Sequence, residues 1–373
     1  MDSRHRTHPA WFVLLWLVTT LSSVAQPYDA AQAATRPNDA AAQMQARRAV
    51  LGAARSWAYQ LRINDLGPLA RDPADVLVID HGYAAKRNGK IMFDATDVAK
   101  LKIKPDGRRR TVLAYMSIGE AEQYRFYWQG AWCRRLTAPR WIGTVNPIWP
   151  GNYPTRFWDP EWQKLILDPA DGYLARIQSQ GFDGVYLDRT DVYAEWLKER
   201  PGAEADMITF LDRIATAARE RNGQFLIVMQ NAEELLVHRR VRLLLDGMAK
   251  EDLLFGLTFT EAANDAASVT NSLQDLKRAR ADRMPVFAVE YLADPAKISA
   301  ARERLLGFGF VPYFAPRLLD TLMQQGPYPP RLPDTVASPT TAIDPAPAPT
   351  GPAATTATPG PSWAEGGPTC LLD

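Results

Sequence analysis

Short apolar runs of strand length recur along this chain, and most of them end in an acidic residue. The runs cover 57–61, 76–79, 112–117, 184–187, 225–229, 247–249, 286–289 and 310–314, each short enough for a buried parallel strand. Helical patterning fills most of the intervals, as at 161–180, 203–221 and 296–306. Strands that alternate with helices argue for βαβ units, and eight such runs are the number that a (β/α)8 barrel needs. The pattern predicts an α/β fold, a single (β/α)8 TIM barrel over residues 51–325.

The acidic punctuation adds chemistry to that pattern. Asp80 follows VLVI, Glu120 follows AYMSIG, Asp188 follows VYL, Glu233 follows IVMQNA, Glu251 follows MAK and Glu290 follows FAV. The carboxyl ends of all strands in a parallel barrel open on one face, so the six acids are expected to converge on one cleft. Any one of them alone reads as well as a loop residue or a helix cap.

The ends of the chain differ in composition from its middle. Arg4 and Arg6, an apolar run at 11–18 and Ser23-Val24-Ala25 make residues 1–25 read as a signal peptide, so a secreted or periplasmic protein is expected. Residues 26–50 are Ala-rich and read as an unstructured linker. Residues 326–373 hold 12 of the 29 prolines amid Ala and Thr, and read as a disordered tail. The formal net charge of +1 gives no support for a nucleic-acid partner. A monomer is expected, with no membrane partner once the signal is removed.

Missing motifs narrow the reaction. Of four histidines, His5 and His8 lie in the signal segment, and His81 and His238 stand alone, so no metal site or other cofactor is expected. His81 follows Asp80 at a strand end, where a substrate contact and a satisfied loop histidine are both open. There is no G-x-S-x-G elbow, P-loop or strand-linked G-x-G-x-x-G. Paired carboxylates remain, one protonated and one ionised, which is what glycosidic-bond hydrolysis requires. Aromatic residues between Trp141 and Trp162 suit a sugar ligand, with Trp149 and Tyr153 as the candidate contacts. Trp158 and Trp162 flank a helix start at Asp159-Pro160 and read as packing residues.

Longer phrases carry a family likeness. SWAYQLRINDL, DVLVID, AYMSIGEAEQYRFYW, WPGNYPTRFWDPEWQ, GFDGVYLDRTDVY, MAKEDLLFG and VFAVEY, spread in order over about residues 55–318, resemble the glycoside hydrolase family 114 type of barrel, similar to endo-α-1,4-polygalactosaminidases. The resemblance implies that Asp188 and Glu251 are the catalytic carboxylates, with Glu233 as the alternative to Glu251. It implies that Glu120 and Arg125 shape the substrate site, together with Asp80, Asp191, Asn231 and Tyr291. Tyr186 sits mid-strand and is expected in the barrel core.

The substrate that the resemblance implies is an amino-sugar polysaccharide. A galactosamine polymer with free amines is cationic near neutral pH, and a ring of carboxylates would concentrate it. A non-catalytic carbohydrate-binding barrel and a hydrolase of another glycan stand as the rival readings.

Overall fold

The computed structural model describes residues 37–84, 91–134, 136–323 and 325–328. The expected signal peptide, the first part of the linker and the tail from 329 lie outside them. Eight parallel strands form one sheet: β1 Trp57–Gln60, β2 Val76–Ile79, β3 Thr111–Ser117, β4 Gly184–Asp188, β5 Leu226–Gln230, β6 Gly247–Glu251, β7 Val286–Glu290 and β8 Val311–Phe314. They are hydrogen-bonded in chain order, and the sheet curls into a nearly closed (β/α)8 barrel. At the seam the backbone amide of Leu61 donates to the carbonyl of Leu319 at 2.9 Å, and the indole N–H of Trp57 donates to the carbonyl of Val311 at 2.9 Å.

Aromatic rings fill the barrel. Trp57 lies 5.9 Å from Tyr59, 6.3 Å from Tyr186, and 5.5 Å from both Phe287 and Tyr313, measured between ring centroids. Tyr186 is fully buried, as its mid-strand position predicts. Side chains alternate along a strand, so the residue two beyond an inward one also faces inward. Asp188 therefore stands directly above Tyr186, where the packed interior gives way to the open rim.

Helices wrap the outside, and the local sequence sets their limits. The helical pattern at 161–180 is two helices, Pro160–Leu167 and Tyr173–Ser179. Pro169 has no N–H to continue the first, and the backbone of Gly172 passes so close to Asp168 that a Cβ there would lie 2.6 Å from its N and O. Asp159 caps the first helix through its side chain, and Trp162, fully buried, donates to the carbonyl of Ile118 at 2.9 Å.

Two expected boundaries shift. Residues 37–52 form a helix, α1, where an unstructured linker was expected. Its buried polar groups explain the misreading: Arg47 pairs with Asp246 at 2.8 Å, and Arg48 donates to the carbonyls of Leu245 at 3.1 Å and Asp282 at 2.7 Å. These partners sit just before β6 and β7, so residues 47–51 lie against the amino-terminal ends of those strands, with Leu51 fully buried there. At the other end, Tyr328 is buried and its backbone amide donates to the carbonyl of Arg55 at 3.0 Å, so the folded unit runs past residue 325.

Candidate active site

Asp188 and Glu251 end β4 and β6, and Gln230 ends β5 between them. The side-chain amide nitrogen of Gln230 donates to Oδ1 of Asp188 at 2.9 Å and to Oε2 of Glu251 at 2.6 Å. Tyr59, on the barrel floor, donates to the amide oxygen of Gln230 at 3.3 Å and fixes which way the amide points. Tyr115 donates to the second oxygen of Asp188 at 2.6 Å, while Tyr291 donates to the second oxygen of Glu251. Asn231 donates to Oε2 of Glu251 at 3.2 Å and accepts from the Glu251 backbone amide at 3.2 Å.

The chain leaves each of these strand ends by a sharp bend. Arg189, Asn231 with Ala232, and Asp252 all have φ between 51 and 58°, in the left-handed region that non-glycine residues seldom adopt. Such strain persists only where the surroundings enforce it, and here it follows each of the three strand-end side chains. The bend at Asn231 turns its amide back onto Glu251.

Both carboxyl groups are held above the usual carboxylate range. Burial is the main cause for each. For Asp188 the Tyr115 hydrogen bond opposes the rise and the charge of Asp191 adds to it. For Glu251 the charges of Asp188 and then Asp252 push further, against the Tyr291 bond and the guanidinium of Arg317. Arg317 pairs with both oxygens of Asp252 at 2.8 and 2.9 Å and lies over the Tyr291 ring at 4.5 Å.

Two more expected residues act on this pair electrostatically, and a third, Trp149, is tied to one of them through Asn146. Asp191 is partly exposed and lies 3.3 Å from Arg189, whose Nε is 3.0 Å from Glu120. Glu120 is buried on a short hairpin strand beyond β3, where it accepts from Asn146 at 2.8 Å. Burial, against Arg189 and Asn146, raises its carboxyl to about 7. Trp149 is half-buried, with its backbone amide on the side-chain oxygen of that same Asn146 at 3.2 Å.

The remaining expected residues, three of the six acids among them, are engaged by other partners. Asp80 accepts both hydrogen bonds of one Arg125 nitrogen, at 2.7 and 2.8 Å. Arg125, only 2% exposed, turns its other side to Glu122 at 2.5 Å and lies against the Tyr115 ring, leaving almost none of its surface open. Glu233 is buried on Lys250 at 3.0 Å and on the hydroxyl of Ser272; although burial opposes it, Lys250 leaves its carboxyl below the usual range, so it does not replace Glu251. Glu290 has no exposed surface and accepts from the backbone amides of Leu254 at 2.8 Å and Phe255 at 3.1 Å, pinning the loop after β6. Tyr153 is also fully buried, stacked 4.9 Å from Trp128, and His81 is buried against Tyr173. Neither presents surface to the cleft.

Gln230, Tyr115 and Tyr59 were missed in the sequence. Gln230 had a legible signal, because a polar residue closing the apolar run LIVM occupies the same position as the acids. Tyr115 and Tyr59 lie inside apolar strand runs, where nothing sets them apart from core residues. Among the described residues, no group of three or more His, Cys, Asp or Glu is placed to hold a metal ion.

Known proteins share both the sequence and the barrel. The sequence profile of glycoside-hydrolase family GH114 matches residues 36–326. An uncharacterized protein of Deinococcus radiodurans is 33% identical over 287 residues, which cover 75% of this chain and 86% of that protein. One of Methanocaldococcus jannaschii is 33% identical over 273 residues, covering 69% and 75%. The glycoside hydrolase domain of PelA from Pseudomonas aeruginosa superposes with a TM-score of 0.55 at 22% identity, over 73% of this chain and 98% of that one, a likeness of fold. With the family's profile matched from α1 to the last strand and two carboxylates meeting at the barrel rim, the chain belongs to family GH114 and is a glycoside hydrolase.

Proposed function

We propose that this hydrolase cuts an α-1,4-linked, galactosamine-containing polysaccharide within the chain, by double displacement at Asp188. The observation that carries the mechanism is the nitrogen shared by the two carboxylates. Bonds of 2.9 and 2.6 Å laid end to end keep the two oxygens within about 5.5 Å, the separation of retaining enzymes and too short for the water that inverting enzymes place between.

In the first step the ionised Asp188 attacks the anomeric carbon. The glycosidic C–O bond breaks, and Glu251 gives its proton to the departing oxygen. In the second, Glu251 takes a proton from water as that water attacks the anomeric carbon and displaces Asp188. The assignment of roles rests on the electrostatics: burial and then the charge of Asp188 raise Glu251, while no Glu251 charge acts among the causes at Asp188, so Glu251 is the group that keeps its proton.

The amino-sugar substrate rests on the family likeness and on charge. Beside the pair the partly exposed Asp191 adds a third carboxyl group, whose charge acts on Asp188, a setting that favours a polycation. Export rests on the amino-terminal signal pattern. Among the described residues no helix is long and apolar enough to cross a membrane. The test is a panel of polysaccharides, galactosamine polymers with and without N-acetyl groups beside neutral glucans and chitin, assayed for new reducing ends and for the first-formed anomer by NMR. Cleavage of the galactosamine polymers with retained configuration is expected. Cleavage only of another glycan removes the substrate assignment, and an inverted product removes the double displacement.

A further inference from the structure

The loop after β6 carries four consecutive exposed residues, Leu257 to Thr260, although its base is firmly held. Asn264 donates to the carbonyl of Asp252 at 2.7 Å and accepts from the backbone amide of Leu257 at 3.0 Å. The backbone of Gly256 bonds to Ala262 at 3.1 Å, and Glu290 anchors Leu254 and Phe255 from below. On this frame Phe259 stands 46% exposed with a φ of 59°. A bulky residue in the left-handed region is a strained choice, and exposing an aromatic ring adds a hydration cost. Folding alone favours neither.

The ring is not isolated from the chemistry. One face lies on the guanidinium of Arg317 at 5.0 Å, and Arg317 lies in turn on Tyr291 at 4.5 Å, whose hydroxyl donates to Glu251. Phe259 thus stands on the same rim as the catalytic pair, two stacked groups outward from Glu251, with nearly half of its surface still exposed. Beside it the hydroxyls of Thr258 and Thr260, 2.9 Å apart, are exposed as well.

We infer that Phe259 is a sugar-stacking platform that holds a ring of the polymer away from the bond being cut, with Thr258 and Thr260 facing its hydroxyls. The inference rests on the polysaccharide reading above and extends it. An apolar ring face matches the C–H face of a pyranose, and a second held ring favours long chains over short ones. The rigid base means that no loop ordering is charged against binding.

The test measures affinity for a partly deacetylated galactosamine polymer with the Asp188→Asn protein, alone and combined with Phe259→Ala or Phe259→Tyr, by affinity electrophoresis. Phe259→Ala is expected to weaken binding about threefold to tenfold, and Phe259→Tyr to restore it to within about twofold. Equal affinity in all three overturns the platform. So does self-association of the parent protein that Phe259→Ala abolishes, which assigns the ring to a second copy. Reducing-end release by the wild type reports separately on the hydrolase reading: polymer bound through Phe259 but never cut keeps the platform and rejects the hydrolysis.

Discussion

The hydroxyl of Tyr115 donates to Asp188 at 2.6 Å, across neighbouring strands whose register pairs Ser117 with Asp188. A hydrogen bond to the charged form favours ionisation, and a nucleophile must be ionised to attack. Tyr115→Phe removes it, so the Asp188 carboxyl rises further and the acidic limb of the pH profile for kcat/KM moves upward. A charge-assisted bond of about 1.5 kcal/mol predicts a shift of roughly one pH unit. An unmoved limb would show that Asp188 is not the ionising group.

Gln230 ties Asp188 to Glu251 through one nitrogen. Gln230→Leu keeps the approximate volume and loses the tie. Small misplacements of reacting groups cost about 100-fold in rate, so kcat is expected to fall by that order while KM changes little. Steady-state kinetics on the galactosamine polymer give the answer.

Glu251 links activity to stability. Its folded carboxyl titrates above the ordinary value of 4.5, so ionisation costs the folded state more than the unfolded one. The contribution of Glu251 is therefore fully present below about 4.5 and is lost as pH rises through the folded value. Glu251→Gln cannot ionise, and its amide oxygen can still accept from Gln230 and Asn231. The variant should match the wild type in melting temperature at acidic pH and exceed it at pH 8, by roughly 2–4 °C for each kcal/mol. A gain that did not depend on pH would contradict the assignment.

Arg125 separates a structural role from a substrate role. It is enclosed by Asp80 and Glu122, and Glu122 has no exposed surface. Arg125→Met leaves the buried Glu122 and the partly buried Asp80 without their cation, a loss of about 3–5 kcal/mol in unfolding free energy. Denaturant unfolding should show it. A fully stable protein with a raised KM would return Arg125 to the substrate site.

The barrel was legible because apolar runs of strand length, separated by helical patterning, have few other ways to bury themselves. The strand-end acids were legible because an acid that closes such a run falls at the rim, and the family resemblance singled out Asp188 and Glu251 among them. The same rule overreached at Asp80, Glu233 and Glu290, since loops around a barrel need acceptors for backbone amides and partners for buried cations, and sequence does not say which acid is so used. Tyr153 looked like a sugar contact because a loop aromatic and a core aromatic have the same composition signature; only the stack on Trp128 tells them apart. Helix α1 was hidden because its anchors are arginines. Gln230 was passed over because a rule that looks for acids ignores an uncharged polar residue at the same strand-end position.

Hydrolysis of the galactosamine polymer by wild type, Asp188→Asn and Glu251→Gln, followed as reducing ends released per unit time, tests the two-carboxylate site most directly. The wild type should turn over, and each substitution should lower kcat by at least about 1,000-fold while the protein stays folded and binds the polymer. Turnover that survives in Asp188→Asn would contradict the site, and so would a wild type that binds and never cuts.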